Sequence, residues 1–255
     1  MILAVEIGNS NIVIGGVVED EIRFKARLRT DATKTSDEYA IDLKMILEVY
    51  HAEKEPLEGA IIASVVPQVL NSMKTALKKL TGVEPLVVGP GLKTGLKINI
   101  ENPGQTGSDI VAAAVAALRE QEAPIIIIDM STATTMIVLD QEGAMIGGSI
   151  SPGIRISLDA LTDRTALLPG LQLDQPKRVI GRNTIDCMRS GVMLGAACML
   201  DGMVSRMEAE LGSPARVIAT GNIARFVIPM CRKEIQYDKN LVLKGLTILY
   251  RENSK

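Results

Sequence analysis

The feature that most constrains the fold of this 255-residue chain is an internal repeat of a strand–turn–strand pattern. The first copy, ILAVEIGNSNIVIGG at 2–16, has an apolar run, an acid with small polar residues, and a second apolar run. The second copy, IIIIDMSTATTMIVL at 125–139, has the same order, and Glu6 aligns with Asp129. An acidic turn into a third strand follows each copy. We therefore predict two similar halves of about 120 residues, within the usual size range of domains.

The order of the elements predicts the fold class. Three strand-like runs open the chain, and helical and strand-like patterns alternate after them. This order indicates mixed sheets flanked by helices, which is an α/β class. The predicted helices cover residues 36–50, 66–80, 108–120, 157–162, 184–211 and 241–251. A helix gives way to a Pro-led strand near 117–124, so we predict domains at 1–118 and 119–255.

Composition argues against several classes of protein. The net charge of -2 gives no electrostatic basis for binding nucleic acid, and 2% aromatic residues leave few stacking platforms. Three cysteines without a CxxC pair and a single histidine do not form a zinc pattern, and the odd count argues against a disulfide framework. There is no basic leader and no uninterrupted run of about 18 apolar residues. We therefore expect a cytoplasmic protein.

The repeated turns have the composition expected of a phosphate site. Small residues let the main chain approach a ligand closely, and the N–H groups of a turn form a nest that binds anions. The acid before each turn would repel phosphate directly, but it can hold a bridging cation or position water. We interpret 6–11 and 129–135 as two loops that serve one phosphate-containing ligand. An ordinary polar hairpin is the alternative for either loop taken alone.

Asp109 is a second candidate for chemistry. Pro103, Gly104 and further small residues precede a helix that begins near Ser108, so Asp109 lies in its first turn. An acid there stabilises a helix by about 0.3–1 kcal/mol, which is a sufficient structural explanation. The functional alternative is a general base that accepts a hydroxyl proton during phosphoryl transfer.

Two further segments give weaker signals. The segment VIATGN at 217–222 leads from a strand into a glycine turn, where a nucleotide base or ribose often rests, although a simple strand-to-helix turn is as good an explanation. In the segment 184–211, Gly191 and Gly195 lie four residues apart on one helical face, which favours close helix packing within or between subunits. Three charged residues argue against a membrane span there: Arg189, Asp201 and Arg206.

Taken in order, these segments resemble the type III pantothenate kinases, a family of the actin/hexokinase/Hsp70 ATPase superfamily. No single motif is decisive, but the ordered set covers nearly the whole chain and is highly specific. The motifs are EIGNSN at 6–11, TSDEY at 35–39, IIASVVP at 61–67, VGPGLKTGLKI at 88–98, ENPGQTGSD at 101–109, DMSTATT at 129–135, GGSISPGIRISLDALTDRTALLP at 147–169, IGRNT at 180–184, SGVMLG at 190–195, ATGN at 219–222 and LVLKGL at 241–246.

The resemblance implies two ribonuclease-H-like domains, a homodimer, and transfer of the γ-phosphate of ATP to the 4′-hydroxyl of pantothenate, the first step of coenzyme A biosynthesis. It also implies Mg2+ and a monovalent cation, K+ or ammonium. By position, Asp109 would be the catalytic base, Asp129 would help to hold the monovalent cation, and Glu6 is the candidate for Mg2+. The implied ATP- and phosphate-binding residues are Glu6, Gly8, Asn9, Ser10, Asn11, Thr132, Ala133 and Thr134. The implied pantothenate-binding residues, in a pocket closed by the partner subunit, are Gly107, Ser108, Asp109, Ile110 and Thr184.

The chain departs from the family pattern at ligand positions. Glu6 stands where the family usually has Asp, and a carboxylate displaced by about 1 Å can cost roughly 100-fold in rate. Ile110 replaces an Arg, and a lost charged hydrogen bond is worth about 1.5–3 kcal/mol. The other departures are Ile100 for Tyr, Ser131 for Gly and Asn222 for Gly.

These departures leave three functions open. The first is an active pantothenate kinase. The second is a catalytically impaired paralogue that binds pantothenate or nucleotide as a regulatory protein, as the clustered loss of family residues would indicate. The third is a kinase for another small hydroxylated acid, because Ile110 makes the acceptor pocket less polar.

Overall fold

The computed structural model describes residues 1–254, which contain two five-stranded mixed sheets with helices. The sheet orders are β3-β2-β1-β4-β5 and β10-β9-β6-β7-β8. The strands are β1 (Ile2–Ile7), β2 (Asn11–Val18), β3 (Glu21–Arg29), β4 (Gly59–Ser64), β5 (Leu86–Val87), β6 (Ile125–Met130), β7 (Ala133–Leu139), β8 (Met145–Pro152), β9 (Arg216–Thr220) and β10 (Gln236–Tyr237). The two equivalent sheets confirm the predicted α/β class.

The helices follow the predicted pattern closely. They are α1 (Ser36–Val49), α2 (Pro67–Thr81), α3 (Ser108–Glu120), α4 (Ile154–Asp163), α5 (Thr184–Arg189), α6 (Gly195–Leu211), α7 (Ala224–Val227) and α8 (Leu241–Asn253). A π-helical turn, Ser190–Leu194, joins α5 to α6. The segment 184–211, which we predicted as one α-helix, is therefore two α-helices connected by this turn. The helix α4 begins three residues before its predicted start, directly after Gly153.

Local sequence signals explain where several helices begin and end. Thr35 and Glu38 form a reciprocal capping box at the start of α1. Pro67 occupies the first turn of α2, and Gly82 ends that helix in a left-handed conformation. Asn183 caps α5, because its Oδ1 accepts a hydrogen bond of 2.9 Å from the N–H of Asp186.

Contacts between residues divide the chain into two compact units. The first contains residues 1–96, 101–119 and the chain from 240 onward, and the second contains 97–100 and 120–239. In both units the first two strands are antiparallel and the first strand also pairs with a parallel neighbour, β4 or β9. The turn that follows the first strand therefore lies at the same end of each sheet as the carboxyl end of that parallel neighbour.

The helix α8 belongs to the first unit by its packing. It lies against β1 and β4, and its apolar residues Leu241, Leu243, Leu246 and Leu249 are buried. Our sequence-based boundary at 118 assigns this helix to the second domain, because a helical pattern alone does not reveal the partner of its apolar face. Each compact unit contains a mixed sheet flanked by helices, as predicted for the two ribonuclease-H-like domains.

One helical run, Thr184–Leu211, is long and apolar enough to cross a membrane by length and composition. Only 33% of its most apolar window is buried inside the protein. We predicted no such run, because the charged residues interrupt it, whereas an averaged window tolerates two charges. The core helix of a soluble protein passes the same test, so this result is weak evidence for a membrane span.

Candidate active site

The turn between β1 and β2, residues 8–10, is held by its own backbone and by the end of β3. The N–H of Gly8 donates to the carbonyl oxygen of Asn11 at 3.0 Å, and a Cβ at position 8 would lie only 3.2 Å from that oxygen. Thr30 donates through its Oγ1 to the carbonyl oxygen of Gly8 at 2.6 Å and through its N–H to that of Ser10 at 3.2 Å. The side chains of Asn9, Ser10 and Asn11 remain exposed. This arrangement gives a fixed backbone with accessible polar groups.

Glu6 lies one residue before the last residue of β1 and is half-buried. It is in register with Val13 on β2 and Ala63 on β4. Because side chains alternate along a strand, Glu6 points to the opposite face of the sheet from Val5 and Ile7, which belong to a buried apolar cluster. The predicted first loop thus combines a fixed turn with an acid at the end of the preceding strand.

Two serines fasten the start of α3 to the end of β4. The Ser108 hydroxyl accepts a hydrogen bond of 2.7 Å from the N–H of Ser64 and donates one of 3.0 Å to the Ser64 carbonyl oxygen. Ser64 is in register with Ile7 at the end of β1. The first turn of α3, with Asp109, therefore lies at the same end of the first sheet as the turn of residues 8–10.

Asp109 is a half-buried carboxylate without a side-chain partner. Its Oδ1 accepts a hydrogen bond of 2.8 Å from the N–H of Ile110, and no side-chain cation or hydroxyl among residues 1–254 pairs with it. Burial raises the pKa of Asp109, and the main-chain N–H groups of Ile110 and Asp109 itself oppose that shift. A Cβ at Gly107 would overlap Oδ1 of Asp109, so only glycine leaves room for the carboxylate in this position. These are properties suited to a proton acceptor.

The second loop, residues 129–135, has a turn that is one residue shorter than the turn of the first loop. The N–H of Ser131 donates to the carbonyl oxygen of Ala133, two residues later, at 3.0 Å, whereas the N–H of Gly8 in the first loop donates to that of Asn11, three residues later. The Ser131 hydroxyl also donates to Oδ2 of Asp129 at 3.2 Å. The residue that departs from the family glycine therefore contacts the predicted cation ligand directly.

Two glycines bring other segments against this second loop. Gly221, in the turn of the VIATGN segment, has a positive φ of 91°, and a Cβ there would overlap the carbonyl oxygen of Met130 and lie 2.7 Å from Oδ1 of Asp129. A Cβ at Gly153 would overlap the carbonyl oxygen of Thr132. The second unit thus brings the loop, the glycine turn after β9 and the start of α4 together.

A cavity of about 540 Å³ lies in the second unit beside the end of the second loop. Thr134 and Ser151 contribute hydroxyl groups to it, and the Ser151 hydroxyl donates to the carbonyl oxygen of Thr134 at 3.3 Å. Most of the remaining lining is apolar and includes Ile154, Met188 and Met199. Thr184 lies four residues before Met188, is exposed and begins α5.

Sequence reasoning missed two residues that hold the first unit's loops. Thr30 was not distinguished, because nothing in its local sequence marks a hydrogen bond to a turn 22 residues earlier. Ser64 and Ser108 are 44 residues apart, so their hydrogen bonds appear only once β4 and α3 are placed together. A polar residue directly after a strand is the only signal that could have drawn attention to Thr30.

Two similar sheets, each with a polar turn after its first strand, define the actin-like ATPase and sugar kinase class of fold. A ROK family glucokinase from Streptomyces griseus, solved in complex with glucose and AMPPNP, is similar with a TM-score of 0.58 and 14% identity, over 98% of this chain and 99% of that chain. At that identity the similarity concerns the fold alone.

The chain belongs to the type III pantothenate kinase family, whose model matches residues 2–206. It is 42% identical over 255 residues to a type III pantothenate kinase of Exiguobacterium sp., with all of both chains covered. It is 39% identical over 254 residues to one of Moorella thermoacetica, again over all of both chains. The family recognised from the ordered motifs is therefore confirmed.

Proposed function

We propose that this protein transfers the γ-phosphate of ATP to the 4′-hydroxyl of pantothenate, the first step of coenzyme A biosynthesis. The observation that carries the proposal is the half-buried Asp109 carboxylate, with its raised pKa, at the end of the first sheet, in a chain that belongs to the pantothenate kinase family. Relatives with this family name match the chain over its whole length.

Asp109 is the proposed general base. It accepts the proton of the 4′-hydroxyl while the hydroxyl oxygen forms a bond to the γ-phosphorus, and the bond from that phosphorus to the bridging oxygen breaks to release ADP. The carboxylate has no competing side-chain partner among residues 1–254, so its oxygen is available to the acceptor. Burial, which raises its pKa, makes it a stronger proton acceptor than an exposed aspartate.

The two loops are the proposed phosphate-binding elements. Main-chain N–H groups near Gly8 and Ala133, together with small polar side chains, suit an anion because a turn concentrates positive partial charge. The side chains assigned to this role are Asn9, Ser10, Asn11, Thr132 and Thr134. Thr134 is buried, so it contributes mainly by shaping the loop backbone.

Glu6 and Asp129 are the proposed cation ligands. No three His, Cys, Asp or Glu side chains cluster as a metal site anywhere in residues 1–254. Glu6 fits a Mg2+ ion that arrives with ATP, since Mg2+ in kinases uses one or two carboxylates together with phosphate oxygens. Bound Mg2+ would neutralise charge on the phosphates. Asp129, whose Oδ2 also accepts from Ser131, is assigned to K+ or ammonium.

The proposed acceptor site includes Gly107, Ser108, Ile110 and Thr184. Ser108 contributes by fixing the start of α3, because its hydroxyl both accepts from and donates to Ser64. Ile110 supplies an apolar surface suited to the dimethyl group of pantothenate rather than the charge of the family arginine. We therefore expect weaker binding of pantothenate than in relatives that have the arginine.

We also propose a cytoplasmic homodimer whose partner subunit completes the acceptor pocket. In the segment 164–183, several large apolar side chains are exposed to an extent unusual for a free surface, including Leu167 at 90% and Ile180 at 80%. Several large apolar side chains exposed within one segment favour an association site. Thr184 directly follows this segment, which is consistent with an acceptor pocket that a second subunit closes.

The function is tested with purified protein, ATP, Mg2+ and K+, with and without pantothenate, by mass spectrometry of the products. We expect 4′-phosphopantothenate and ADP from the wild-type protein, and neither from Asp109→Asn. A protein that pantothenate or nucleotide stabilises against heat, but that forms no product at any cation concentration, would instead be a regulatory binder. Turnover with another small hydroxy acid, and not with pantothenate, would change the assigned substrate.

A further inference from the structure

The hydroxyl of Thr106 is a buried polar group without a hydrogen-bond partner. Apart from the Nε of Arg189, no other side-chain nitrogen or oxygen in residues 1–254 is both buried and unpaired. Native proteins pair the great majority of such atoms, because a buried hydroxyl without a partner loses its hydrogen bonds to water. An exception in a folded protein therefore needs an explanation, and a ligand is one.

The backbone on both sides of Thr106 is fixed. Its N–H donates to the carbonyl oxygen of Pro103 at 3.1 Å, which closes a short 3-10 turn, Pro103–Gln105. Two residues later, Ser108 is fastened to Ser64 by two hydrogen bonds. The backbone at Thr106 is thus held in place, and its position follows from the same contacts that position α3.

Thr106 also lies in the segment that carries the proposed base. Gly107, the next residue, packs against Oδ1 of Asp109, and Asp109 itself has no side-chain partner. A buried hydroxyl and a half-buried carboxylate, three residues apart and both without a side-chain partner, are what an acceptor site presents before its ligand binds. The side chain of Ile110 adds no hydrogen-bond donor to this segment, and its N–H is already paired with Oδ1 of Asp109.

We propose that the Thr106 hydroxyl hydrogen-bonds an uncharged polar group of the acceptor, a hydroxyl or an amide carbonyl close to the reacting hydroxyl. Thr106 is then a substrate-positioning residue for phosphoryl transfer, and this inference rests on the proposed function. An uncharged group is favoured, because a carboxylate beside the Asp109 carboxylate would be repelled. A hydroxyl side chain can both donate and accept, so it suits either kind of group.

The test compares Thr106→Val, which keeps the branched shape but removes the hydroxyl, with Thr106→Ser, which keeps the hydroxyl. We expect Thr106→Val to raise the KM for pantothenate by about 3- to 10-fold, the effect of one lost neutral hydrogen bond. The KM for ATP should stay unchanged, and Thr106→Ser should restore the KM for pantothenate to within about twofold of wild type. Thermal shift by pantothenate, measured without ATP, should be smaller for Thr106→Val than for wild type.

A purely structural hydroxyl gives a different result. Removing an unpaired buried polar group stabilises the fold, so Thr106→Val would then raise Tm and leave the KM for pantothenate unchanged. That result, or an equal rise in KM for both substrates, would overturn the inference while wild-type turnover still supports the proposed function. If wild-type protein does not phosphorylate pantothenate, the proposed function fails and this inference fails with it. Should Thr106→Val not fold, Thr106→Ala supplies the same comparison.

Discussion

At the scale of single residues, the environment of Asp109 follows from its neighbours in the chain. Gly107 leaves space for the carboxylate, Ser108 fastens the helix to β4, and the N–H of Ile110 supplies one main-chain hydrogen bond. These three residues position the carboxylate, and Asp109 itself is the proposed proton acceptor. A buried acid with so few partners costs stability, which is typical of functional positions.

The raised pKa of Asp109 predicts how activity and stability depend on pH. A base must be ionised, so kcat/KM should fall as the pH drops through a pKa above the usual aspartate range. The native state holds this proton more tightly than the unfolded chain does, so ionisation destabilises the fold once the pH exceeds the usual aspartate pKa. Asp109→Asn should therefore raise Tm at neutral pH, and this gain should shrink towards acid pH.

Thermal unfolding across that pH range checks the stability part, and initial rates of the wild-type protein check the activity part. Asp163→Asn, at the exposed end of α4, is the matched control and should change neither measurement. A Tm gain for Asp109→Asn that is independent of pH would contradict the assigned cause.

Thr30 predicts a selective effect on ATP. Thr30→Val removes the hydroxyl that donates to the Gly8 carbonyl oxygen at 2.6 Å, while the N–H bond to Ser10 remains. Losing about 1 kcal/mol of support for the first loop should raise the KM for ATP about fivefold, with the KM for pantothenate unchanged. Steady-state kinetics with each substrate varied in turn measures this split.

Thr30→Ser should keep the KM for ATP near the wild-type value, because serine retains the donor. Thr33→Val is a control for loss of a threonine hydroxyl, since Thr33 is exposed and its hydroxyl donates to Asp31 instead of to the loop. An increase in the KM for pantothenate alone would show that the loop held by Thr30 does not bind ATP.

At the scale of secondary structure, the periodicity of apolar residues predicted which helices and strands exist. Contacts between residues far apart in the chain determine where these elements pack. Both strand–turn–strand repeats and the longer helices follow from alternating and 3.6-residue patterns, which the structure confirms. The strand β10 has only two residues, Gln236–Tyr237, and carries no such pattern. The Ser64–Ser108 hydrogen bonds and the packing of α8 on the first sheet depend on segments far apart in the chain, so no local signal predicts them.

Gly245 gives a test of how closely α8 packs on α3. A Cβ at this position would overlap the main-chain carbonyl oxygen of Ala112, and backbone cannot move aside as a flexible side chain does. Gly245→Ala should therefore destabilise the protein by about 1–3 kcal/mol or more, the usual cost of overpacking. Urea denaturation followed by circular dichroism measures this free energy of unfolding.

Gly202→Ala is the matched control in the helix α6. A Cβ there meets no heavy atom within 4 Å, so the same substitution should stabilise by about 0.5–1 kcal/mol through helix propensity. Opposite signs for the two variants would support the packing of α8 on α3. If Gly245→Ala stabilised the protein, the close packing of α8 on α3 would be contradicted.

At the scale of the whole molecule, the family framework is retained while several ligand positions differ. The family model matches 2–206, and two full-length relatives are 39–42% identical. From the resemblance of the motifs we expected Asp, Arg and Gly where this chain has Glu6, Ile110 and Asn222. The fold thus constrains most of the chain through packing, and we expect single substitutions at the loops to change affinity and rate. These departures bear on how fast the kinase works more than on what it folds into.

The exposed segment 164–183 predicts where two subunits meet. The double variant Ile180→Asp with Val179→Asp replaces two exposed apolar side chains by charged ones. The exposed fractions of these side chains are 80% for Ile180 and 74% for Val179. Each side chain occurs twice in a symmetric dimer, and burying one stabilises the interface by about 1.5–3 kcal/mol. Losing this free energy at every copy should weaken association by more than about 100-fold. Sedimentation velocity should show a dimer for wild type and a monomer for the variant, with a raised KM for pantothenate.

The matched control places the same charges on another exposed apolar surface, in the first unit. The double variant Ile41→Asp with Met45→Asp alters one face of α1. The exposed fractions of these side chains are 62% for Ile41 and 53% for Met45. This pair should leave the dimer and the KM for pantothenate intact, because the proposed interface adjoins Thr184 at the start of α5. A monomeric wild-type protein would contradict the homodimer itself, and dissociation by the α1 pair alone would move the interface to the first unit.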